Sequence, residues 1–241
     1  MGLIVSVSLL LAWGLSLLGL LPLDLSVCAP IELILSILLR TFLHTGLFVI
    51  AHDAMHGNVL PSYPVENRWL GQLALGLYGF LPYQTACDFH RQHHVYPAQT
   101  RDPDFCERGK EILGLYVVRW YLSFISNYVT LPTLGRISIG MGCTLLSLIL
   151  LGHIAIQNIV LFWLLPWVLI SRPLFLFGTF LPHFVSVRDN KKRLVKSFYY
   201  PPLFSLLICY HFSYHQEHHT CPKVPWYLLP NVSLTDTGPA S

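Results

Sequence analysis

The sequence predicts an all-α integral membrane helical bundle, with about four transmembrane helices plus interfacial helices and a histidine-rich di-metal site on its cytoplasmic face. Three observations carry this. Of 241 residues, 54% are hydrophobic and only 11% charged, whereas soluble domains carry ~25% charge. Four stretches are apolar over about the 20 residues a helix needs to cross a bilayer. And eight of the twelve histidines fall into three tight clusters, an unusual load of imidazole for so apolar a chain.

The spans are expected at about 3–23, 31–52, 137–153 and 158–182. The first has no Lys/Arg leader and no small-residue cleavage site, so it reads as a retained helix rather than a signal peptide. The last two are separated only by a polar link at 152–158 and form a hairpin. Shorter apolar pieces at 69–83, 113–131 and 202–211 carry interruptions such as Arg119 and Asn127, which makes them interfacial or re-entrant helices. There is no internal repeat. A single domain is expected over 1–230, followed by a polar tail at 231–241 that frays. The six cysteines show no C-x-x-C spacing, which argues against a zinc ribbon or a disulfide framework. A net charge of +3 without a basic stripe gives no reason to expect nucleic acid.

Charge sets the orientation. Arg68, Arg91, Arg101, Arg108, Lys110, Arg119 and Arg136 lie between the second and third spans, and Arg188, Lys191, Lys192, Arg193, Lys196 and Lys223 follow the fourth. The loops at 24–30 and 153–158 have no Lys or Arg, and Arg40 and Arg172 fall inside spans. The positive-inside rule therefore puts both long loops and both termini in the cytoplasm. All three histidine clusters lie on that side.

The clusters are His52 with His56, then His90, His93 and His94, then His215, His218 and His219. Residues three and four apart share a helix face, so each cluster aims its rings at one point. His211 extends the last into an expected continuous stripe, and His183 closes the fourth span. Ten histidines at one face exceed the four to six ligands of one ion and suit two. Imidazole serves iron, copper, zinc and nickel, so ligand type alone does not choose, and no Glu-x-x-His pair of a carboxylate-bridged bundle occurs. Asp53, Asp88, Asp102, Asp104 and Glu217 are placed to accept ring N–H groups and fix tautomers; Asp102 and Asp104 serve equally well as helix caps. His44, a lone histidine in an apolar helix, reads first as a satisfied packing residue; its place on the stripe of Phe48, His52 and His56 offers a role beside the site as the alternative. His153 is a bystander.

The boxes resemble those of the membrane fatty-acid desaturase and hydroxylase superfamily. The runs His52-Asp53-Ala54-Met55-His56-Gly57, Phe89-His90 to His94, Asp102-Pro103-Asp104-Phe105, Phe177 to His183, and His211 to Pro230 with its Pro225-Trp226 pair narrow the resemblance to the bacterial-type β-carotene ketolases. It covers about residues 41–230, with one departure at Tyr227, where a second tryptophan is expected.

The resemblance implies a di-iron oxygenase that uses O2 and an external reductant, such as ferredoxin, to oxidise the C4 methylene of a β-ionone ring. β-Carotene would become echinenone and canthaxanthin, and zeaxanthin would become astaxanthin. It implies His52, His56, His90, His93, His94, His183, His211, His215, His218 and His219 as metal ligands, with Asp53, Asp102 and Asp104 beside them. The carotenoid would enter laterally from membrane lipid, past Leu47, Phe48, Phe180 and Phe184. The rivals are carotenoid ring hydroxylation or fatty-acyl desaturation by the same machinery, a non-enzymatic metal binder or transporter, and bis-histidine haem. Transport predicts ionisable groups along a midplane path, whereas here only Arg40, His44 and Arg172 lie deep.

Overall fold

The computed structural model describes residues 1–188 and 195–233, with side chains described at 1–184 and 195–233. Most of the expected polar tail, and the side chains of Arg188, Lys191, Lys192 and Arg193, lie outside the described residues. In chain order the helices are α1 (Gly2–Leu20), α2 (Pro30–Met55), α3 (Pro64–Gly79), α4 (Tyr83–Val95), α5 (Leu113–Tyr128), α6 (Leu131–Leu150), α7 (Ile156–Phe184), α8 (Pro202–Cys209) and α9 (His215–Thr220). Among the described residues there is no strand.

Four of these, α1, α2, α6 and α7, are long and apolar enough to cross a membrane, and they overlap the four expected spans. Helix α6 begins earlier than its apolar run and takes in Arg136 on an exposed face, which a long side chain able to carry its charge to water allows. Helices α2 and α7 are the inner spans; α1 and α6 leave most of their apolar surface outward.

Helix α7 contains Pro166, Pro173 and Pro182. Widened turns at Val160–Leu164 and Leu176–Phe180 each close on the residue before a proline, with Leu165 N–H donating to Val160 O and Leu181 N–H to Leu176 O. A proline ring collides with the carbonyl four residues back, and a wider turn relieves that clash. Pro166 has no N–H for the carbonyl of Phe162. Arg40 Nε on α2 donates to it instead, at 2.9 Å.

The same guanidinium donates to Trp13 O at 2.6 Å and Ser16 Oγ at 2.8 Å and is fully buried. One turn on, His44 Nδ1 accepts from Trp13 Nε1 at 3.2 Å, so its Nε2–H donates to Tyr78 O at 2.8 Å. His44 therefore ties α1, α2 and α3 together as a satisfied packing histidine, the first of its two sequence readings, and among the described residues it hydrogen-bonds no metal-site histidine.

Candidate metal centre

The end of α2 is held by side chains. Asn67 Nδ2 donates to Ala54 O at 2.7 Å and Lys223 Nζ to His56 O at 2.7 Å. Gly57 then turns the chain at φ +76°, where a side chain would be strained. This fixes the direction in which His52 and His56 leave the helix.

Nine imidazoles gather into two quartets and a link. His52, His56, His90 and His218 have ligand nitrogens within 4.8 Å of one another, as do those of His93, His183, His215 and His219. His94 stands between. Its Nε2 is 2.9 Å from His218 Nε2 and 3.1 Å from His90 Nε2, and its ring stacks on His219 at 4.2 Å. Helical rotation sorts the rings. On α4, His90 and His94 share a face toward the first quartet, while His93 turns to the second. On α9 the assignment is reversed: His215 and His219 face the second quartet and His218 the first. Residues four apart stay together and the one between them points elsewhere.

These nitrogens face one another closely: His56 Nε2 to His90 Nε2 at 2.7 Å, and His219 Nε2 to His93 Nε2 at 3.0 Å and to His215 Nε2 at 3.1 Å. Both ring nitrogens of His52 are buried without a hydrogen-bond partner among the described residues. Buried polar atoms left unpaired are costly. A cation shared by each quartet is what an all-nitrogen donor set of this shape fits. Burial holds His56 down to about 4 and His94 down to about 3, and pushes His90, His215, His218 and His219 well below the usual histidine value. At neutral pH their lone pairs are free for a metal.

His93 is the exception. Burial works against its charge, but the hydrogen bond with Asp102 and the charges of Asp104 and Asp102 outweigh it and raise its value. Its Nδ1–H donates to Asp102 Oδ1 at 2.9 Å, with Asp104 Oδ2 at 3.7 Å. That leaves His93 Nε2 as the nitrogen facing the quartet. Asp102 is itself fixed by the Ala98 and Asp104 backbone N–H groups, each at 2.9 Å. Tyr128 donates to Asp104 Oδ1 at 2.7 Å, and burial raises the Asp104 carboxyl.

Other sequence expectations fare differently. His211 joins neither quartet. Its Nδ1 meets Ser205 Oγ at 3.2 Å and its ring stacks near Trp226. The expected continuous stripe from His211 to His219 is broken, because Tyr210 and His211 take positive φ of 48° and 63° and α9 starts only at His215. That costly turn is braced by Tyr210, whose hydroxyl donates to Phe42 O at 3.0 Å and whose ring stacks on Phe42 at 4.5 Å. Gly46 makes room for it: a Cβ there would lie 2.8 Å from the Tyr210 hydroxyl. Asp53 is 4.0 Å from His52 Nδ1, too far for a hydrogen bond. Glu217 accepts from Ser197 and Tyr199 rather than from an imidazole, and Asp88 pairs with Arg91 on the surface.

A cavity of about 330 Å³ reaches both quartets, with His52, His90, His93 and His215 in its wall. Of the expected lining residues, Phe48 is there. Leu47 is fully buried in the main hydrophobic core, and Phe180 and Phe184 stack on each other at 5.0 Å beside Tyr116. The wall instead includes Met55, Leu81, Phe124, Trp167 and Phe212, which come from five separate segments and share no sequence pattern.

The family model for fatty acid desaturases matches residues 29–239. The chain belongs to the fatty acid desaturase family. Within this desaturase-family fold, the two histidine quartets fit a di-iron centre. A protein named beta-carotene ketolase from Paracoccus sp. (strain PC1) is 39% identical over 214 residues, covering 86% of this chain and 81% of that protein. A beta-carotene ketolase from a second Paracoccus strain is 38% identical over 216 residues, covering 84% and 80%. A zeaxanthin 4-ketolase from Chlamydomonas reinhardtii is 34% identical over 212 residues, covering 83% of this chain and 44% of that protein.

Proposed function

We propose that the chain is an O2-dependent oxygenase holding two iron ions that converts the C4 methylene of a β-ionone ring to a ketone. β-Carotene becomes echinenone and canthaxanthin, and 3-hydroxylated rings lead to astaxanthin. The observation that carries this is the cavity: mostly apolar, it ends on four histidines drawn from both quartets. The names of the relatives support the substrate class.

Iron bound by the quartets supplies the activation of O2 that an uncharged C–H bond requires and no side chain provides. The chain's own residues do the rest. Phe48, Met55, Leu81 and Phe212 surround the approach to the histidines and exclude water. Asp102 keeps the His93 proton on Nδ1 and so keeps Nε2 available for a metal. Leu122 and Val168 line the cavity and are 59% and 46% exposed on the apolar outer surface. That pair supports lateral entry for a substrate dissolved in lipid. The Lys/Arg bias of the two long loops supports a cytoplasmic face for the histidines, where a ferredoxin-type donor would deliver electrons.

Expression in a β-carotene-accumulating bacterium, with chromatography of the pigments, tests the reading. Echinenone and canthaxanthin are expected. Their absence from cells containing membrane-inserted protein loaded with about two irons would overturn it, and 3-hydroxylated products alone would assign ring hydroxylation instead.

A further inference from the structure

The apolar cavity holds a second polar zone, away from the histidines. Tyr121 of α5 and Ser171 of α7 both line it, and their hydroxyls are 2.7 Å apart. Ser171 Oγ also donates to Val168 O at 3.1 Å. A serine hydroxyl has one proton, so Tyr121 must be the donor to Ser171. Both oxygens keep lone pairs to offer and neither keeps a proton. Tyr78 of α3 lines the same cavity and adds a further hydroxyl-bearing side chain to its wall. The zone thus brings together hydroxyls of Tyr121, Ser171 and Tyr78, with acceptor capacity on the hydrogen-bonded Tyr121–Ser171 pair. An alcohol, which donates and accepts, matches that set; a hydrocarbon does not.

The helices give the spacing. Tyr128, at the histidine end of the cavity beside Asp104, lies seven residues along α5 from Tyr121, ~10 Å of helix rise. Ser171 lies twelve residues along α7 from His183, ~18 Å. The cavity, about 330 Å³, is at the low end of ligand pockets, ~300–1,000 Å³. It encloses a ring with part of its chain, not a forty-carbon rod, whose remainder stays in the bilayer.

We infer that the site also takes a shorter substrate class: a β-ionone ring carrying a polyene of about half the carotenoid length that ends in a hydroxyl. The ring meets the histidines and the terminal hydroxyl is held by Tyr78, Tyr121 and Ser171. This rests on the ketolase reading of the same site. The reaction is CH2 + 2 O2 + 4 electrons + 4 protons → C=O + 3 H2O. Two C–H bonds break, a carbon–oxygen double bond forms, and the external reductant supplies the electrons. The terminal hydroxyl is unchanged.

The probe is all-trans-retinol, compared with β-carotene on the same membrane preparation supplied with O2 and reduced ferredoxin. Retinol is expected to give its 4-oxo product. Tyr121→Phe, Ser171→Ala and Tyr78→Phe should each lower the retinol-to-β-carotene ratio of kcat/KM about tenfold, the value of one buried hydrogen bond. Retinol binding to the metal-free protein, read by fluorescence, should weaken by a similar factor. Conversion of β-carotene without conversion of retinol would overturn the inference. So would variants that depress both substrates equally, because the hydroxyls would then only tie α5 to α7. If neither substrate is converted, the ketolase reading fails; hydroxyl-dependent retinol binding to the metal-free protein would still support the alcohol site.

Discussion

Replacing Asp102 by Asn isolates the link between a buried carboxylate and a metal ligand. Asp102 accepts three N–H groups: His93 Nδ1 and the Asp104 backbone at Oδ1, and the Ala98 backbone at Oδ2. An amide presents one oxygen and one NH2, so at least one position now faces a donor with a donor. If NH2 takes the Oδ2 position, the Ala98 turn loses its acceptor. If it takes the Oδ1 position, His93 is driven to move its proton to Nε2, the nitrogen that faces His219 at 3.0 Å and the second quartet. Either outcome costs one buried hydrogen bond, about 1–3 kcal/mol, and the second also removes a ligand. A loss of roughly 10–100-fold in metal affinity is expected. The assay is metal content per chain after dialysis against graded chelator, alongside thermal unfolding of the detergent-solubilised protein. Metal retention equal to wild type across the chelator series would refute the reasoning, because His93 would then need no carboxylate to hold its tautomer.

Alanine at His218 or His56 should remove metal from the first quartet, whereas His211→Phe should leave metal content near wild type; loss of metal in the His211 variant would restore it to the ligand set. Arg40→Met should lower the thermal midpoint by removing two buried hydrogen bonds and one part-buried one, and adding Pro166→Ala should recover part of the loss by returning an N–H to the Phe162 carbonyl. No recovery in the double mutant would show that the missing proline donor is not what Arg40 replaces. Finally, the metal-free protein should lose stability as pH falls from about 6.5 toward 4. His56 is depressed to about 4 when folded but titrates near 6.5 unfolded, so acid favours the unfolded chain. A thermal midpoint constant over that range would count against buried, neutral ligands.

Much of the candidate site was legible in the sequence. The spacing of His90, His93 and His94, and of His215, His218 and His219, is helical arithmetic, and α4 and α9 are helices there. Asp102 and Asp104 were singled out, though helix capping was an equal reading until His93 appeared against them. The residues that misled are those whose role depends on chain direction after a turn. His211 sits at the right interval for a stripe, but the left-handed conformations at Tyr210 and His211 swing it away. Leu47, Phe180 and Phe184 have the right character for a carotenoid wall. They pack elsewhere, since apolar character does not say which face of a helix meets a cavity.

By itself the sequence determined the class of the molecule. Composition and apolar run length set the number of spans, because the bilayer imposes a length, and histidine periodicity set the kind of chemistry, because a helix imposes a rotation per residue. Only the tertiary structure decided the division of nine histidines into two quartets and a linking His94, the use of Arg40 and His44 as ties between helices, and the hydroxyl zone of Tyr78, Tyr121 and Ser171. Each of those depends on side chains from different helices meeting, and the register of one helix against another is fixed by packing over its whole length, which no local spacing encodes.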